Sequence, residues 1–359
     1  MSKAKHQQVF EALNREILTG RYAAGNKFPS EAALAKRFHA SRITVGRAVR
    51  DLQQRGLVER FAGSGTYVRA AGANSGQGPL FGLIIPDLGG TEIFEPICQG
   101  IANAPNSGGH ALLWPHANGG GANREEQAWQ LCEQCILRRV SGVFFAPLEM
   151  SARAGEVNRR VVNALKRAEI PIVFLDRRPE YMASRDRCDL VSIDNERAGY
   201  LATNHLLKLG ARRIGFLAYR GQASSIVGRI TGYRQALSSP GILLEVDSGG
   251  PFALPPQTAK CDAFVCSNDH VAGRLMLALI ATGKRIPQDV RIVGIDDVAY
   301  AGLLPAPLTT VHQPCGEIGE AALQVMLERL AHSRMPAREV LLDCELVVRG
   351  SCGGAIADH

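Results

Sequence analysis

Between Ser41 and Arg50 the chain reads Ser-Arg-Ile-Thr-Val-Gly-Arg-Ala-Val-Arg. Arg42, Arg47 and Arg50 bring guanidinium donors that suit phosphate oxygens and the acceptor edge of guanine. Val45, Ala48, Val49 and Leu52 recur in the same stretch at helical spacing, on the opposite side. One face to bury and one cationic face is what a helix needs to lie in the major groove of DNA. A second set of reactive side chains stands far downstream. Asp87 with nearby Phe94, Asp176-Arg177-Arg178, Asp194-Asn195, Asn268-Asp269 and Asp296-Asp297 each come just after a short apolar run. Carboxylates accept from hydroxyls, arginine and asparagine donate to them, and an aromatic ring covers the C–H side of a sugar. Together these suit a small polyhydroxylated ligand, chiefly a monosaccharide. Singly, Asp194 and Asn268 serve equally well as helix N-caps, and Asp176-Arg177 as an internal ion pair.

The elements that position the cationic helix are legible on either side of it. Val9, Leu13 and Ile17 repeat at four-residue spacing and predict a helix over residues 5–19, with Gly20 as its C-cap. Ser30 and Ser41 are placed to cap two further helices, the first carrying Leu34 and Phe38, with a tight turn at His39-Ala40 between them. After Gly56, residues 57–61 and 66–69 read as two strands around the glycine turn 62–65, completing a winged helix. Gly63 and Gly65 are ordinary turn residues, and a bare tip also allows close approach to phosphates or the minor groove. Residues 1–70 hold 13 Lys/Arg against 5 Asp/Glu, whereas the whole chain carries a net charge of only +7. The basic character therefore belongs to this small region, as expected if only it meets a polyanion.

Residues 71–78 are small, polar and glycine-rich and read as a flexible linker between residues 1–70 and 79–359. From Pro79 onward, apolar runs begin at Phe81, Gly142, Ile172, Leu190, Ile214, Ala263 and Ile292, most followed by a helical stretch. Continuous apolar strands separated by helices predict parallel sheets covered on both faces. The fold class is α/β: an N-terminal winged helix-turn-helix, then two doubly wound lobes. Ligands in such sheets bind at the carboxyl ends of the strands, where the downstream polar residues stand.

Residues 7–69 resemble the DNA-binding domain of GntR-family bacterial regulators, through Gly25-Asn-Lys-Phe-Pro-Ser-Glu, Leu34-Ala35, Ser41-Arg42-Ile-Thr44-Val45, Gly56-Leu-Val and Gly63-Ser-Gly-Thr-Tyr-Val68. By position, the resemblance adds Thr44 and a wing-tip Gly63 as DNA contacts, so the expected DNA-binding set is Ser30, Ser41, Arg42, Thr44, Arg47, Arg50 and Gly63. Ala32 and Gly46 depart from the arginines usual in that family. Residues 80–350 resemble the effector domain of LacI/GalR regulators, which shares its fold with periplasmic sugar-binding proteins. The signatures are Ser192-Ile-Asp194-Asn195 with Gly199, His205 to Phe216, Arg229-Ile-Thr-Gly232-Tyr233, Cys266-Ser-Asn268-Asp269, Ile286-Pro287-Gln-Asp289, Val293-Gly-Ile-Asp296-Asp297 and Pro307 to Gln313. This resemblance implies that Phe94, Asp176, Arg177, Arg229, Asn268, Asp296 and Gln313 face the ligand, and that Asp194-Asn195 caps a helix where the lobes cross over. The set resembles the pentose-binding members best, and the composite resembles the GntR/LacI chimeric arabinose-repressor type. The stretch from Tyr233 to Cys261 is short and rich in Gly and Pro, which predicts a shortened or missing helix in the second lobe.

The expected function is a sequence-specific transcriptional regulator, read as a repressor of carbohydrate genes. It would act as a homodimer on double-stranded operator DNA and answer to a monosaccharide effector. The nine scattered cysteines predict reduced thiols in a cytoplasmic protein, and Cys132-x-x-Cys135 lies in a helical pattern without a second pair. No apolar run follows the charged N-terminus and none approaches membrane length, so neither an export signal nor a membrane span is expected. No cofactor or metal is expected. HExxH, a P-loop, Gly-x-Ser-x-Gly and the dinucleotide glycine fingerprint are missing from the sequence, which argues against an enzyme. The competing expectation is a sugar carrier without a DNA role.

Overall fold

The computed structural model describes residues 5–18, 22, 26–54, 57–61, 65–68, 78–86, 92–105, 109–114, 123–179, 188–221, 223–248 and 252–354. The chain divides into two compact units, Met1–Leu80 with Gly108–Ala111 and Phe81–Ser107 with Leu112–His359.

The first unit holds α1 (Lys5–Leu18), α2 (Glu31–Phe38), α3 (Arg42–Gln54), β1 (Val58–Phe61) and β2 (Gly65–Val68). The Ser30 hydroxyl accepts from the Ala33 N–H at 3.2 Å and starts α2. His39 then takes a left-handed conformation, φ 46°, which closes α2 and turns the chain sharply toward α3. Ser41 begins α3 by accepting from the Thr44 N–H at 3.1 Å. Val9, Leu13 and Ile17 of α1 pack with Leu34, Val45, Ala48, Val49 and Leu52 into one core, closed by Phe28, Val58 and Val68. β1 and β2 pair antiparallel, and residues 26–28 join β2 through Phe28 N to Thr66 O at 2.7 Å and Val68 N to Asn26 O at 2.9 Å. Gly20, Gly56, the expected wing tip Gly63 and all of the expected linker except Gly78 lie outside the described residues.

The second unit is built on two six-stranded sheets. The first lobe holds β3 (Leu80–Ile84), β4 (Ala111–Leu113), β5 (Gly142–Phe145), β6 (Ile172–Leu175), β7 (Asp189–Ile193) and β13 (Glu339–Leu342), in spatial order β13-β7-β6-β5-β3-β4. The second holds β8 (Ile214–Tyr219), β9 (Ile242–Val246), β10 (Ala263–Cys266), β11 (Arg291–Asp296), β12 (Thr309–His312) and β14 (Glu345–Val347), in order β14-β12-β11-β10-β8-β9. The central strands are parallel and buried on both faces, as continuous apolar runs require, with Phe81, Phe144, Phe145, Phe174, Phe216 and Phe264 fully enclosed. β14 is antiparallel to β12, so the second sheet is not wholly parallel.

Helices α4 (Phe94–Asn103), α5 (Arg124–Leu137), α6 (Ala154–Arg167) and α10 (Cys315–Ala331) cover the first lobe, and α7 (Asn195–Lys208), α8 (Ser224–Ala236) and α9 (Asp269–Ala281) the second. Where a further helix would separate β9 from β10, the described residues hold only a 3-10 turn at Pro256–Lys260, matching the shortening expected there. The chain passes between the lobes after β7, after β12 and between β13 and β14. Two of these crossings lie side by side, since Asp194 N donates to Leu342 O at 3.1 Å. Cys132 and Cys135 are both buried on α5, and burial pushes each thiol up to about 12, which is core chemistry.

Candidate functional site

On α3, geometry separates two faces. Val45, Ala48, Val49 and Leu52 are buried, whereas Arg42, Ile43, Arg47 and Arg50 are exposed. The Arg50 side chain folds back so that Nε donates to the Gly46 carbonyl at 3.4 Å. Ser41 and Thr44 hydroxyls lie 2.8 Å apart at the head of the helix, and Ser30 caps the helix before it. The candidate DNA face thus gathers Ser41, Arg42, Thr44, Arg47 and Arg50 on one helix, with Ser30 at the start of the neighbouring one. Gly63 lies outside the described residues. A methyl added at Gly46 would meet only the Glu31 carboxylate, at 3.4 Å, so packing does not demand glycine there.

In the second unit the strand ends converge on a cavity of about 250 Å³ between the lobes. Phe94, Asp176, Arg177, Arg229, Asn268 and Asp296 all line it. Asp176 follows β6 in the left-handed region, φ 67°, fixed by the Ser192 hydroxyl donating to its carbonyl at 2.7 Å. Its Oδ2 accepts from Arg177 Nη1 at 2.8 Å. Arg177 also donates to the Pro147 carbonyl at 3.0 Å, approaches Glu149 at 3.4 Å and lies 5.5 Å over the Phe94 ring. The Asp176 side chain is only 5% exposed, yet its Oδ1 has no hydrogen-bond partner within the protein. A buried carboxylate oxygen left in that state is poised for a donor from a ligand.

Arg229 reaches the cavity from α8 because α7 and α8 lie backbone to backbone. A Cβ at Gly199 would fall 1.9 Å from the Arg229 carbonyl, and one at Gly232 would fall 1.8 Å from the Glu196 carbonyl. So close a crossing admits only glycine, and it fixes where the guanidinium stands. Arg229 Nε donates to Asn195 Oδ1 at 2.9 Å, Nη1 donates to the Ser267 carbonyl, and Nη2 lies 3.3 Å from Asp296 Oδ1. Gln313 Nε2 donates to that same oxygen at 2.6 Å. Burial pushes the Asp296 carboxyl well above the usual range, the nearby Asp269 adds to this, and Arg229 and Gln313 oppose it. Asp269, itself buried, accepts from Thr310 Oγ1 at 2.6 Å and from the Val298 N–H at 3.0 Å.

Asn268 and Gln313 each also hold a partner within the protein. Asn268 lines the cavity, and its Oδ1 accepts from the Val271 N–H at 2.9 Å and caps α9. Gln313 lines an adjoining cavity of about 520 Å³, which shares Glu92, Ile93, Asp296 and Val298 with the first, and orients Asp296 from behind. Asp194 caps α7 by accepting from Arg197 N at 2.9 Å, as expected. Asp87 lies outside the described residues. Reasoning from sequence missed Glu149, Tyr219, Ser225, His270 and Tyr300, which also line the cavity. Tyr219 ends β8 and Glu149 follows β5 closely, so inspecting the ends of those two strands as well finds them. Arg274 donates to Tyr219 Oη at 3.2 Å, and Tyr219 in turn faces His270 Nδ1 at 3.1 Å. Burial and Arg274 push His270 below its ordinary value.

Residues 5–68 match the bacterial regulatory proteins of the gntR family. Residues 80–249 match the periplasmic binding proteins and sugar binding domain of the LacI family, and residues 203–352 a periplasmic binding protein-like domain. The arabinose metabolism transcriptional repressor of Geobacillus stearothermophilus is 27% identical over 97% of both chains. The HTH-type transcriptional regulator MalR of Streptomyces coelicolor is 28% identical, over 77% of this chain and 81% of its own. Among solved structures, a LacI family transcriptional regulator from Enterococcus faecalis with bound ribose superposes with a TM-score of 0.63 at 26% identity, covering 76% of this chain and 98% of that one. The chain thus joins a gntR-family N-terminal domain to a periplasmic-binding-protein-like domain of the LacI type.

Proposed function

We propose that this chain is a transcriptional repressor of carbohydrate metabolism or transport genes. Residues 1–70 grip operator DNA, residues 71–78 tether them, and residues 79–359 sense a monosaccharide, a pentose before a hexose. The observation that carries the proposal is the cavity between the lobes. Its wall combines Asp176, Arg177, Arg229 and Asp296 with the Phe94 ring, and its 250 Å³ falls below the size of drug-sized ligand sites. The ribose-bound relative supports a pentose.

The mechanism follows from the fold. Residues from both lobes line the cavity, so a bound sugar favours lobe closure about the crossings after β7, after β12 and between β13 and β14. Asp176 and Arg177 come from the first lobe, Arg229 and Asp296 from the second, and one ring of hydroxyls can join them. Closure in turn changes the spacing of two DNA-binding heads in a homodimer on a roughly palindromic operator. Leu277 and Ile280 of α9 and Leu303 beyond it are exposed apolar side chains suited to a partner copy. Typical coupling of about 1–3 kcal/mol corresponds to a five- to 150-fold change in operator affinity. The protein acts in the cytoplasm, where its operator is, and binds its sugar without turning it over.

The test is a thermal-shift screen of single pentoses and hexoses with the full chain, followed by calorimetry on the one with the largest shift. A sugar bound by the full chain, and bound at least tenfold more weakly by Asp176→Ala, supports the cavity as the sensor. Unchanged affinity in that variant places the sensor elsewhere. Incubating the sugar with the protein and recovering it unaltered separates a sensor from an enzyme, and binding-site selection from random duplexes separates a regulator from a carrier.

A further inference from the structure

The middle of the outward face of α3 is occupied by an isoleucine. At 100° per residue, Ile43, Gly46, Arg47 and Arg50 fall within an arc of about 100°, directly opposite Val45, Ala48, Val49 and Leu52, and Arg42 and Thr44 mark the two edges. Ile43 is 82% exposed in the first turn of the helix, the turn whose side chains meet base edges when a recognition helix enters the major groove. A single exposed aliphatic residue is ordinary on a protein surface. Here a second feature accompanies it. The next residue on the same face is Gly46, which costs a helix interior about 1 kcal/mol against alanine. The surrounding structure gives no steric reason for it, since an added Cβ would meet only the Glu31 carboxylate at 3.4 Å. Ile43 and Gly46 therefore form an apolar floor with Arg47 and Arg50 beside it, a shape suited to an apolar group flanked by acceptors.

One base edge of the major groove offers such a group, the C5-methyl of thymine, beside phosphates and guanine acceptors that suit the arginines. We propose that Ile43 is a specificity-determining residue that reads a thymine methyl in each operator half-site, with Gly46 leaving room for the base to approach. The proposal rests on the DNA-binding reading of the first unit and adds the base class that this chain selects.

The experiment uses the full chain and a duplex selected with it from random DNA. Each thymine is replaced in turn by deoxyuridine, which removes only the methyl, and affinity is read by fluorescence anisotropy at fixed salt. Wild type should lose about fourfold per half-site at one thymine position, the worth of one buried methyl group at about 0.8 kcal/mol. Ile43→Ala should bind the thymine and uracil duplexes equally, with its unfolding midpoint unchanged, and Ile43→Val should keep the discrimination. If wild type is indifferent to every deoxyuridine, or if Ile43→Ala still discriminates, the assignment is wrong. If the full chain selects no sequence at all, the DNA-binding reading itself fails, which is a distinct result.

Discussion

Arg229→Ala should destabilise the protein by an amount that grows with pH, and the size of that growth follows from the site. The side chain is 3% exposed and serves Asn195, the Ser267 carbonyl and Asp296 at once. Losing the two hydrogen bonds leaves buried acceptors unpaired and costs about 2–3 kcal/mol at any pH. The third contact behaves differently. Burial holds the Asp296 carboxyl up to about 7, and Arg229, with Gln313 beside it, keeps it from rising further. A carboxyl raised above its unfolded value gives the folded state the extra proton between those two pKa values. Stability therefore falls as pH rises through that window and levels off above the folded pKa. In the wild type the fall ends near pH 7, and in the variant it continues. At about pH 6 the carboxyl is mostly protonated in both, so the variant suffers only the lost hydrogen bonds. At about pH 8.5 it suffers in addition up to about 2 kcal/mol, the bound set by 1.5 pH units at about 1.4 kcal/mol each. Urea unfolding of the full chain at the two pH values measures this directly. Arg229→Ala combined with Asp296→Asn should show the first cost without the second. An equal loss at both pH values, or a pH-dependent loss that survives in the double variant, refutes the coupling between these two residues.

Three other substitutions test separate parts of the molecule. Gly199→Ala places a Cβ 1.9 Å from the Arg229 carbonyl, so α7 and α8 must separate by more than 1 Å. It should cost about 1–3 kcal/mol in urea unfolding and weaken sugar binding in calorimetry, because Arg229 moves with its helix. Arg42→Ala should lower affinity for the selected duplex at least tenfold in anisotropy titrations while leaving sugar binding unchanged. Gly46→Ala should raise the unfolding free energy of the first unit by up to about 1 kcal/mol yet weaken the selected duplex, separating the demands of folding from those of the groove. A gain in both quantities would remove the argument that this glycine makes room for DNA.

The legible parts of the fold are those whose physics is local. Central parallel strands are covered on both faces, so Phe81, Gly142, Ile172, Leu190, Ile214, Ala263 and Ile292 each announce an apolar run, with Ser192 the polar interruption in the one from Leu190. Edge strands are half exposed. β9 alternates between exposed and buried residues and β13 between exposed and half-buried ones, while the inner strand β12 begins with Thr309-Thr310, whose hydroxyls bond to Arg349 and Asp269. A search for continuous apolar runs passes over all of these. The site divides in the same way. Phe94, Asp176, Asn268 and Asp296 were found because strand ends in this architecture meet one cleft. Arg229 lies within α8, a helix whose own pattern says nothing about the cavity, and only its resemblance to known relatives pointed to it. Gln313 was expected beside the ligand. One of its two Nε2–H donors is held by Asp296, a long-range pairing between β11 and the segment after β12 that no local pattern encodes.

The proposed function requires that a sugar held between the lobes change the grip of the N-terminal helix on DNA. It is tested most directly by titrating the full chain onto its selected duplex with and without a saturating amount of the monosaccharide found by thermal shift. Operator affinity is predicted to change between five- and 150-fold in the wild type and not at all in Asp176→Ala. The same dissociation constant with and without sugar in the wild type would contradict it.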